Sequence, residues 1–217
     1  DDWRKERLTD AQFLHENPML AKLTKRYLDS PTDIEAKAQL QKWLKSYRVY
    51  DEYNRVRLLD IQGNTHLSDP DELPPLPKEI AQRIPEVVKS GQVTFIDFFR
   101  REEDQGIYLG VLVPIMDENE NEKVIGLITL SIDPNIYLYP FMQSWPVPSE
   151  SAETLLIRRN GENIEYLNPL PHAPNAALNL QIPITETQRP AVKAVLGEEG
   201  IVEGLDYNDT QVIADIR

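Results

Sequence analysis

The sequence predicts an α+β protein in which a long N-terminal helix is followed by two similar modules, each an antiparallel sheet flanked by helices. Segments 56–70 and 154–169 both read as an apolar strand, a glycine turn and a second strand. Aligning Gly63 with Gly161 superposes the apolar residues of the two strands. After each hairpin the chain repeats a helix end, a glycine and a strand that ends in aspartate. This repeated order indicates two domains of one fold.

The first helices follow from the apolar spacing near the N-terminus. Residues 3–28 contain no glycine and carry apolar side chains at helical spacing, and Pro18 is expected to kink or divide this helix. A second helix is expected over about 31–47, with Ser30 as its cap and Asp33 favourable at the positive end of the helix dipole.

The strands follow from runs rich in β-branched residues. In the first module a hairpin turns at Gly63, a helix covers about 78–90, and three strands cover about 93–100, 106–115 and 123–132. The strands of the second module are expected at 154–159, 163–167, 178–184, 201–206 and 211–217, with a helix at 186–196. Nothing remains to match 123–132, so the smaller second module is expected to lack its last strand or to end raggedly.

These elements give a domain plan for the whole chain. Residues 1–48 form a helical stalk that belongs to the first module. Residues 49–148 form the rest of that module and an aromatic connector, and residues 149–217 form the second module. We expect further segments to flank this chain, because it begins abruptly and stops inside an apparent strand.

Composition restricts the classes of partner. Of the 217 residues, 41% are hydrophobic and 27% are charged, which is ordinary for a folded protein. The net charge of −13 disfavours a nucleic acid partner, because the two would repel each other. The absence of cysteine excludes disulfides and thiol chemistry. No stretch approaches the roughly 18–20 apolar residues of a membrane-spanning helix.

Motifs of catalysis and of cofactor binding are also absent from the sequence. The three histidines are not spaced as metal ligands, and no nucleophile elbow or phosphate-binding glycine loop occurs. We therefore expect no metal, no cofactor and no catalysis. An acid–base hydrolase stays open as an alternative, since it would need two carboxylates that converge in one cleft.

We expect the N-terminal helices to cover one face of the first sheet, and loops and the short helix to close a pocket on the other face. The candidate ligand-binding residues lie on three strands of the first module and are expected to face this pocket, with Phe95, Asp97 and Phe99 on one face of their strand. They are Phe95, Asp97, Phe99, Arg100, Tyr108, Gly110 and Asp133. Asp97 is the strongest candidate, because a carboxylate between two aromatic residues could hold an amine or a sugar hydroxyl. The alternative is that Asp97 faces solvent or bonds Arg100 or Arg101, since the facing of a strand residue depends on register. For Asp133, the alternative to a ligand contact is that its side chain caps the turn after the strand.

The junction between the modules resembles a known family. It contains Ile-Asp-Pro at 132–134, Tyr-Leu-Tyr-Pro at 137–140, Ser-Trp-Pro-Val-Pro-Ser at 144–149 and Leu-Leu-Ile-Arg-Arg-Asn-Gly at 155–161. Together with the repeated order of elements, these residues resemble double Cache sensor domains, which are built of two PAS-like modules. Such domains are extracytoplasmic ligand-sensing regions of bacterial and archaeal membrane receptors, notably sensor histidine kinases.

The resemblance implies a function and a location. It implies an input domain, periplasmic or extracellular, of a receptor in the cell membrane, with transmembrane helices on both sides and a kinase inside the cell. It implies a small-molecule ligand in the first, membrane-distal module, and we expect a homodimer in the intact receptor. Amino-acid-binding members carry a Tyr/Arg/Trp pattern near the first helix-to-strand passage. Residues of these types occur there at Trp43, Tyr47, Arg48 and Tyr53.

Two further alternatives stay open at this point. The chain could be a structural or protein-interaction module whose first pocket is filled by its own side chains. It could also be the input domain of a chemoreceptor or of a diguanylate cyclase.

Overall fold

A computed structural model of the chain describes residues 2–50, 53–117, 123–144 and 152–217. The chain divides into two compact units, Asp1–Ile136 and Tyr137–Arg217. It is an α+β protein whose strands all pair antiparallel, which confirms the predicted fold class. None of the helices within the described ranges is both long and apolar enough to cross a lipid bilayer.

The first unit contains five helices and five strands among its described residues. The helices are α1 (Asp2–His15), α2 (Pro18–Asp29), α3 (Ile34–Tyr50), α4 (Lys78–Ala81) and α5 (Ile84–Ser90). The strands are β1 (Arg55–Leu59), β2 (Thr65–Asp69), β3 (Thr94–Arg100), β4 (Ile107–Asp117) and β5 (Lys123–Ile132).

The predicted kink at Pro18 is a break between α1 and α2. Pro18 occupies the first turn of α2, where its missing N–H costs no helical hydrogen bond. The preceding Asn17 caps the helix, because its side-chain oxygen accepts a hydrogen bond of 3.0 Å from the N–H of Leu20.

The predicted cap of the next helix at Ser30 is wrong. Ser30 closes α2 instead, where its N–H donates to the carbonyl of Arg26 at 3.2 Å. Asp33 caps α3, since its carboxylate accepts the N–H of Ala36 at 3.0 Å. Arg26 also holds this carboxylate through its Nε at 2.5 Å, which favours the later start.

The five strands of the first unit form one sheet in the order β2-β1-β5-β4-β3. Strand β5 lies at the centre and joins the β1–β2 hairpin to the β3–β4 hairpin. Its length and apolar sequence suit this position, because a central strand is buried on both faces.

The two faces of this sheet pack against different helices. On one face, Val56 and Ile128 lie with apolar residues of α1, α2 and α3. On the other face, Leu59, Leu112 and Leu127 form a core cluster with residues of α4 and α5. We call this second face the α5 face. It is also the face on which the short helices and loops lie, as the sequence predicts.

A β-bulge interrupts β3 and corrects the expected facing of its side chains. Phe95 pairs with Val111 and Phe99 pairs with Tyr108, with a register shift between Ile96 and Phe99. Because two strand residues oppose one partner at a bulge, Phe95 and Phe99 point to opposite faces of the sheet. The expectation that these two aromatic residues share one face is therefore wrong.

The second unit contains two helices and five strands among its described residues. The helices are α6 (Leu138–Ser144) and α7 (Pro190–Val195). The strands are β6 (Ile157–Asn160), β7 (Asn163–Tyr166), β8 (Gln181–Pro183), β9 (Gly200–Leu205) and β10 (Gln211–Ile216). They form two sheets, β6-β7-β8 and β9-β10, and α7 contacts strands of both.

The second unit does not form the single antiparallel sheet that the internal repeat predicts. By order, β6 and β7 correspond to β1 and β2, while β9 and β10 correspond to β3 and β4. Within 152–217 no strand corresponds to β5, which joins the two hairpins of the first unit. The two hairpins of the second unit therefore stay in separate sheets.

The two glycines of the repeat share a backbone conformation but not an environment. Gly63 has a φ of +90° and Gly161 a φ of +60°, a region that favours glycine. A Cβ at Gly63 would lie 2.8 Å from the side chain of Ile84, whereas a Cβ at Gly161 would meet no atom within 4 Å. The positive φ is repeated, but the turn is not: Gly63 lies in the loop between the paired residues Leu59 and Thr65, whereas Gly161 lies in the tight turn between Asn160 and Asn163.

Candidate functional site

A polar patch lies on the α5 face of the first sheet. Arg57 of β1 alternates with Leu59, which belongs to the core cluster on that face. Its partners in register are Ser68 on β2 and Thr129 on β5. All three polar residues of this row, Arg57, Ser68 and Thr129, are 3% exposed. Buried polar groups at the centre of a sheet require hydrogen-bond partners.

The hydrogen-bond donors of Arg57 have few partners within the protein. Its Nη1 lies 3.4 Å from the carbonyl oxygen of Pro75, a long hydrogen bond. Its Nε is buried and has no hydrogen-bond partner among the described residues. Burial, together with the positive charges of Arg55 and Arg101, lowers the pKa of Arg57 to about 10. The side chain still carries its charge at neutral pH, in surroundings that disfavour it.

Arg55 ties the neighbouring segment to the same face. Its Nη1 donates to Ser68 Oγ at 3.0 Å, to the carbonyl of Pro70 at 2.9 Å and to the carbonyl of Glu72. Its Nη2 lies 3.4 Å from the Glu72 carboxylate. These bonds hold the segment 70–77 next to the patch. Arg57 contacts the same segment at Pro75.

Arg101, Asp104 and Tyr108 form a closed cluster at the β3–β4 loop. The Arg101 guanidinium stacks 4.0 Å from the centre of the Tyr108 ring and donates to the Tyr108 hydroxyl at 2.6 Å. Asp104 accepts from Arg101 Nε at 3.0 Å and from the Tyr108 hydroxyl at 2.9 Å. The Arg101 hydrogen bonds hold the pKa of Asp104 well below its usual range, while burial and Asp104 raise the pKa of Tyr108 to about 12.

This cluster predicts how the pKa of Tyr108 and the stability of the protein depend on the charge of Asp104. In Asp104→Asn the pKa of Tyr108 is expected to fall, because the neighbouring negative charge that opposes ionisation is removed. In the parent protein, the cluster's contribution to stability is present above the ordinary aspartate pKa of about 3.9 and is lost as the pH falls through the lowered pKa of Asp104. NMR titration of the tyrosine ring carbons measures the first effect, and urea unfolding at a series of acid pH values measures the second.

The control for this prediction is Glu102→Gln, an exposed residue of the same loop. This variant also removes one negative charge, but it breaks no hydrogen bond of the cluster. An equal fall of the Tyr108 pKa in both variants would contradict the assignment to Asp104.

The structure brings three of the predicted ligand-binding residues together on the α5 face. Phe99 and Tyr108 belong to its core cluster, with ring centres 6.5 Å apart. Gly110 lies between Ile80 and Ile96, whose atoms are within 3.6 Å of the place a Cβ would occupy. These residues form an apolar wall beside the arginines.

The other four predicted residues lie elsewhere. Phe95 packs on the opposite face, where its ring meets Trp3 and lies 4.8 Å from the Arg4 guanidinium. Asp97 is exposed and accepts the N–H of Phe98 at 2.8 Å. Arg100 donates to the Gln105 carbonyl at 2.8 Å, and Asp133 caps the turn after β5 by accepting the N–H of Asn135 at 2.9 Å.

The residues of the Tyr/Arg/Trp type lie away from this patch. Trp43 and Tyr47 stack with ring centres 5.8 Å apart and line an apolar groove of about 750 Å³ between α1, α2 and α3. Arg48 is paired with Asp69. Tyr53 is buried beneath the Arg7 guanidinium, 5.6 Å from it.

Sequence reasoning missed Arg57 and Thr129. A signal was present, because Arg55 and Arg57 alternate with apolar residues in a strand that is otherwise Val-Leu-Leu. The burial of Arg57 was not visible in this pattern, since it depends on segment 70–77 lying over the sheet. In the part of the chain that the structure describes, no three His, Asp or Glu side chains are grouped to hold a metal ion.

Comparisons with known proteins place the fold. No protein-family model and no curated protein sequence matches the chain. Its structure is similar to the ligand-binding domain of the Pseudomonas fluorescens chemoreceptor CtaA in complex with L-isoleucine, with a TM-score of 0.56 and 10% identity, over 99% of this chain and 77% of that one. It is also similar to the ligand-binding domain of the Pseudomonas aeruginosa amino acid chemoreceptor PctC in complex with GABA. That match has a TM-score of 0.55 and 14% identity, and it covers 93% of this chain and 80% of that one.

Sensor histidine kinases occur among the similar structures as well. The sensor domain of the Vibrio cholerae histidine kinase DctB matches with a TM-score of 0.49 and 12% identity, over 80% of this chain and 87% of that one. The chemoreceptor matches show that this chain has the fold of receptor ligand-binding domains, which agrees with the fold that the resemblance implies. At these identities the likeness concerns the fold, and the ligand has to be inferred from the residues of this chain.

Proposed function

We propose that this chain is the extracytoplasmic ligand-sensing input domain of a membrane receptor and that a small polar molecule binds on the α5 face of the first unit. The observation that carries the proposal is Arg57, which is buried in the middle of the sheet with one long hydrogen bond and an Nε that has no partner among the described residues. A purely structural core would place apolar side chains there, because buried polar groups without partners are unfavourable. The similar chemoreceptor domains bind small molecules, which supports the same use here.

The mechanism is a shift between two arrangements of the first unit. A ligand that binds one arrangement more tightly raises its population, and the difference in affinity sets the size of the shift. The helices α1 and α2 pack on the opposite face of the same sheet and are suited to carry the change. The domain has no catalysis of its own in this scheme.

The proposal includes the receptor around the domain. Residues 1–48 with 49–148 serve as the ligand-binding module and its connector, and residues 149–217 serve as the module nearer the membrane. The receptor is a homodimer in the cell membrane, with a histidine kinase as the favoured output and a chemoreceptor or diguanylate cyclase as the alternatives. Trp145 and the rest of the connector after 144 lie outside the described residues.

A ligand screen by thermal unfolding tests the proposal. Amino acids, organic acids, sugars and amines are added singly, and a true ligand at about one hundred times its Kd is expected to raise the Tm by roughly 5–10 °C. In Thr129→Val the shift is expected to shrink, because the nearly isosteric side chain lacks the hydroxyl that faces the patch.

Thr24→Val is the matched control for this screen. Like Thr129, Thr24 is buried, but it lies in α2 on the other side of the sheet, and its hydroxyl oxygen has no hydrogen-bond partner among the described residues. It is expected to leave the ligand-induced shift unchanged. The proposal fails if no compound raises the Tm, or if the two threonine variants reduce the shift equally.

A further inference from the structure

The groove between α1, α2 and α3 has the size and lining of a small-molecule site. It lies on the sheet face opposite the α5 face, and we call it the helical groove. Its volume is about 750 Å³, and most of its lining is apolar or aromatic, namely Phe13, Met19, Leu23, Trp43 and Tyr47. Sites for small molecules typically have volumes of this order, with a few polar groups that fix the orientation of the ligand.

Trp43 and Tyr47 give the helical groove an aromatic surface. They are four residues apart on α3, and their rings stack with centres 5.8 Å apart and planes 16° apart. Both side chains are half-buried, so part of each remains accessible from the groove. A flat ring gains more from this surface than a flexible chain does, because offset stacking adds to the burial of apolar area.

Phe13 of α1 and Met19 of α2 line the same groove and are exposed. Phe13 is 67% exposed and Met19 is 57% exposed, whereas the neighbouring Leu14 is buried. Helix α1 therefore packs on the sheet through Leu14, and Phe13 is left free to make other contacts. A methionine side chain adapts readily to the shape of a ligand. Large apolar side chains that surround a concave surface mark an interaction site.

The charges around the helical groove favour an anion. Lys42 lines the groove, is exposed and forms no ion pair with any carboxylate of the described residues. Asp10 also lines the groove, but it is already paired with Arg7 at 3.3 Å. Residues 2–50 carry ten basic and seven acidic side chains, although the whole chain has a net charge of −13. A small anion is therefore attracted to this side of the protein.

We propose that the helical groove is a second ligand site and that its ligand is an aromatic monoanion. The ring lies against Trp43 and Tyr47, and the charged head group faces Lys42. A cation of the same shape is disfavoured, because Lys42 repels it and Arg7 already neutralises Asp10. This site goes beyond the proposed sensing function, since it lies on the other face of the sheet and shares no residue with the polar patch.

NMR of the methionine methyl groups in the whole chain locates the binding. The chain has three methionines, Met19, Met116 and Met142, of which only Met19 lines the groove. The probe 2-naphthoate is expected to shift the Met19 signal through its ring current and to leave the signals of Met116 and Met142 in place. The proposal is wrong if the Met19 signal does not move at probe concentrations up to about 5 mM.

Calorimetry with matched probes identifies the chemistry of the ligand. The Kd of 2-naphthoate is expected to lie below about 1 mM. The amide, 2-naphthamide, keeps the ring but lacks the charge, and it is expected to bind roughly 2- to 5-fold more weakly. Octanoate keeps the charge but cannot stack, and it is expected to bind roughly 3- to 10-fold more weakly. Equal or tighter binding of the amide would overturn the assignment of an anion, and equal binding of octanoate would overturn that of an aromatic ring.

Two substitutions at exposed residues test the contacts without disturbing the core. Lys42→Met is expected to weaken 2-naphthoate roughly 2- to 5-fold and to leave 2-naphthamide unchanged. Phe13→Ser is expected to weaken both probes roughly 3- to 10-fold, because it removes apolar contact area. The matched control is Lys45→Met, which makes the same change in charge at an exposed residue of α3 outside the groove lining. It is expected to bind both probes as the parent does.

Two results with these variants would overturn the second site. Equal losses in Lys42→Met and Lys45→Met would show that the anion is attracted only by the general charge of the helices. Light scattering measures the mass of the parent and of Phe13→Ser. A parent dimer that Phe13→Ser converts to a monomer, with no probe bound, would show that the groove is an interface between two copies of the chain. Either result leaves the proposed sensing function standing, because no residue of the groove belongs to the polar patch.

Discussion

Leu127→Ala is expected to lower the free energy of unfolding of the first unit by about 2–5 kcal/mol. Leu127 is fully buried on the central strand β5, between Leu59 of β1 and Pro114 of β4. Its side chain belongs to the core cluster that includes residues of α4 and α5. The loss combines the missing transfer free energy with the cavity that this rigid sheet cannot close.

Urea unfolding followed by circular dichroism measures this loss. The control is Ile201→Ala, which removes aliphatic atoms from a side chain that is 79% exposed and is expected to change stability by less than about 0.5 kcal/mol. A cost below about 1 kcal/mol for Leu127→Ala would show that β5 does not hold the core together. Because Thr129 follows two residues later on the same strand and face, the same packing positions the proposed ligand site.

Gly204→Ala is expected to destabilise the second unit by about 3 kcal/mol or more, at the upper end of overpacking costs. A Cβ at Gly204 would lie 2.1 Å from the carbonyl oxygen of Gln188 and 2.8 Å from Cδ of Pro190. Both are fixed atoms of the segment that leads into α7, so neither can rotate away. The N–H of Leu205 donates to the same carbonyl at 3.2 Å, and this bond would be lost if the strand moved.

Hydrogen exchange of the β9 and β10 amides reports this effect locally, since destabilised strands exchange faster. Glu203→Ala, at an exposed neighbour on β9, is the control and is expected to leave the exchange rates nearly unchanged. Equal protection of the β9 amides in Gly204→Ala and in the parent would contradict the close approach of Gln188 to β9.

The local signals in the sequence were sufficient for the order and type of the elements. Pro18 marks the division of the first helical segment, because it lacks the N–H that a continuous helix needs. Gly63 and Gly161 mark the two hairpin turns, where the backbone adopts a positive φ. The aspartate cap at Asp33 was missed, since Ser30 offers an equally good local signal and the choice depends on the contact with Arg26.

The facing of side chains could be predicted only in part. Phe99, Tyr108 and Gly110 lie where they were expected, on the sheet face opposite the N-terminal helices. Phe95 lies on the other face because the bulge in β3 inverts the alternation between it and Phe99. A bulge is created by the pairing of two strands, and it leaves no mark in the sequence of one strand.

The residues alone therefore gave the class of fold and the doubling of the element order, because helical periodicity, strand composition and glycine turns act between near neighbours in the chain. They did not reveal that Arg57 is buried with a single long hydrogen bond. That state arises when β1 inserts between β2 and β5 and segment 70–77 lies across the sheet. Such contacts join residues that are far apart in sequence, and their register is set by hydrogen bonds between strands that no local pattern encodes.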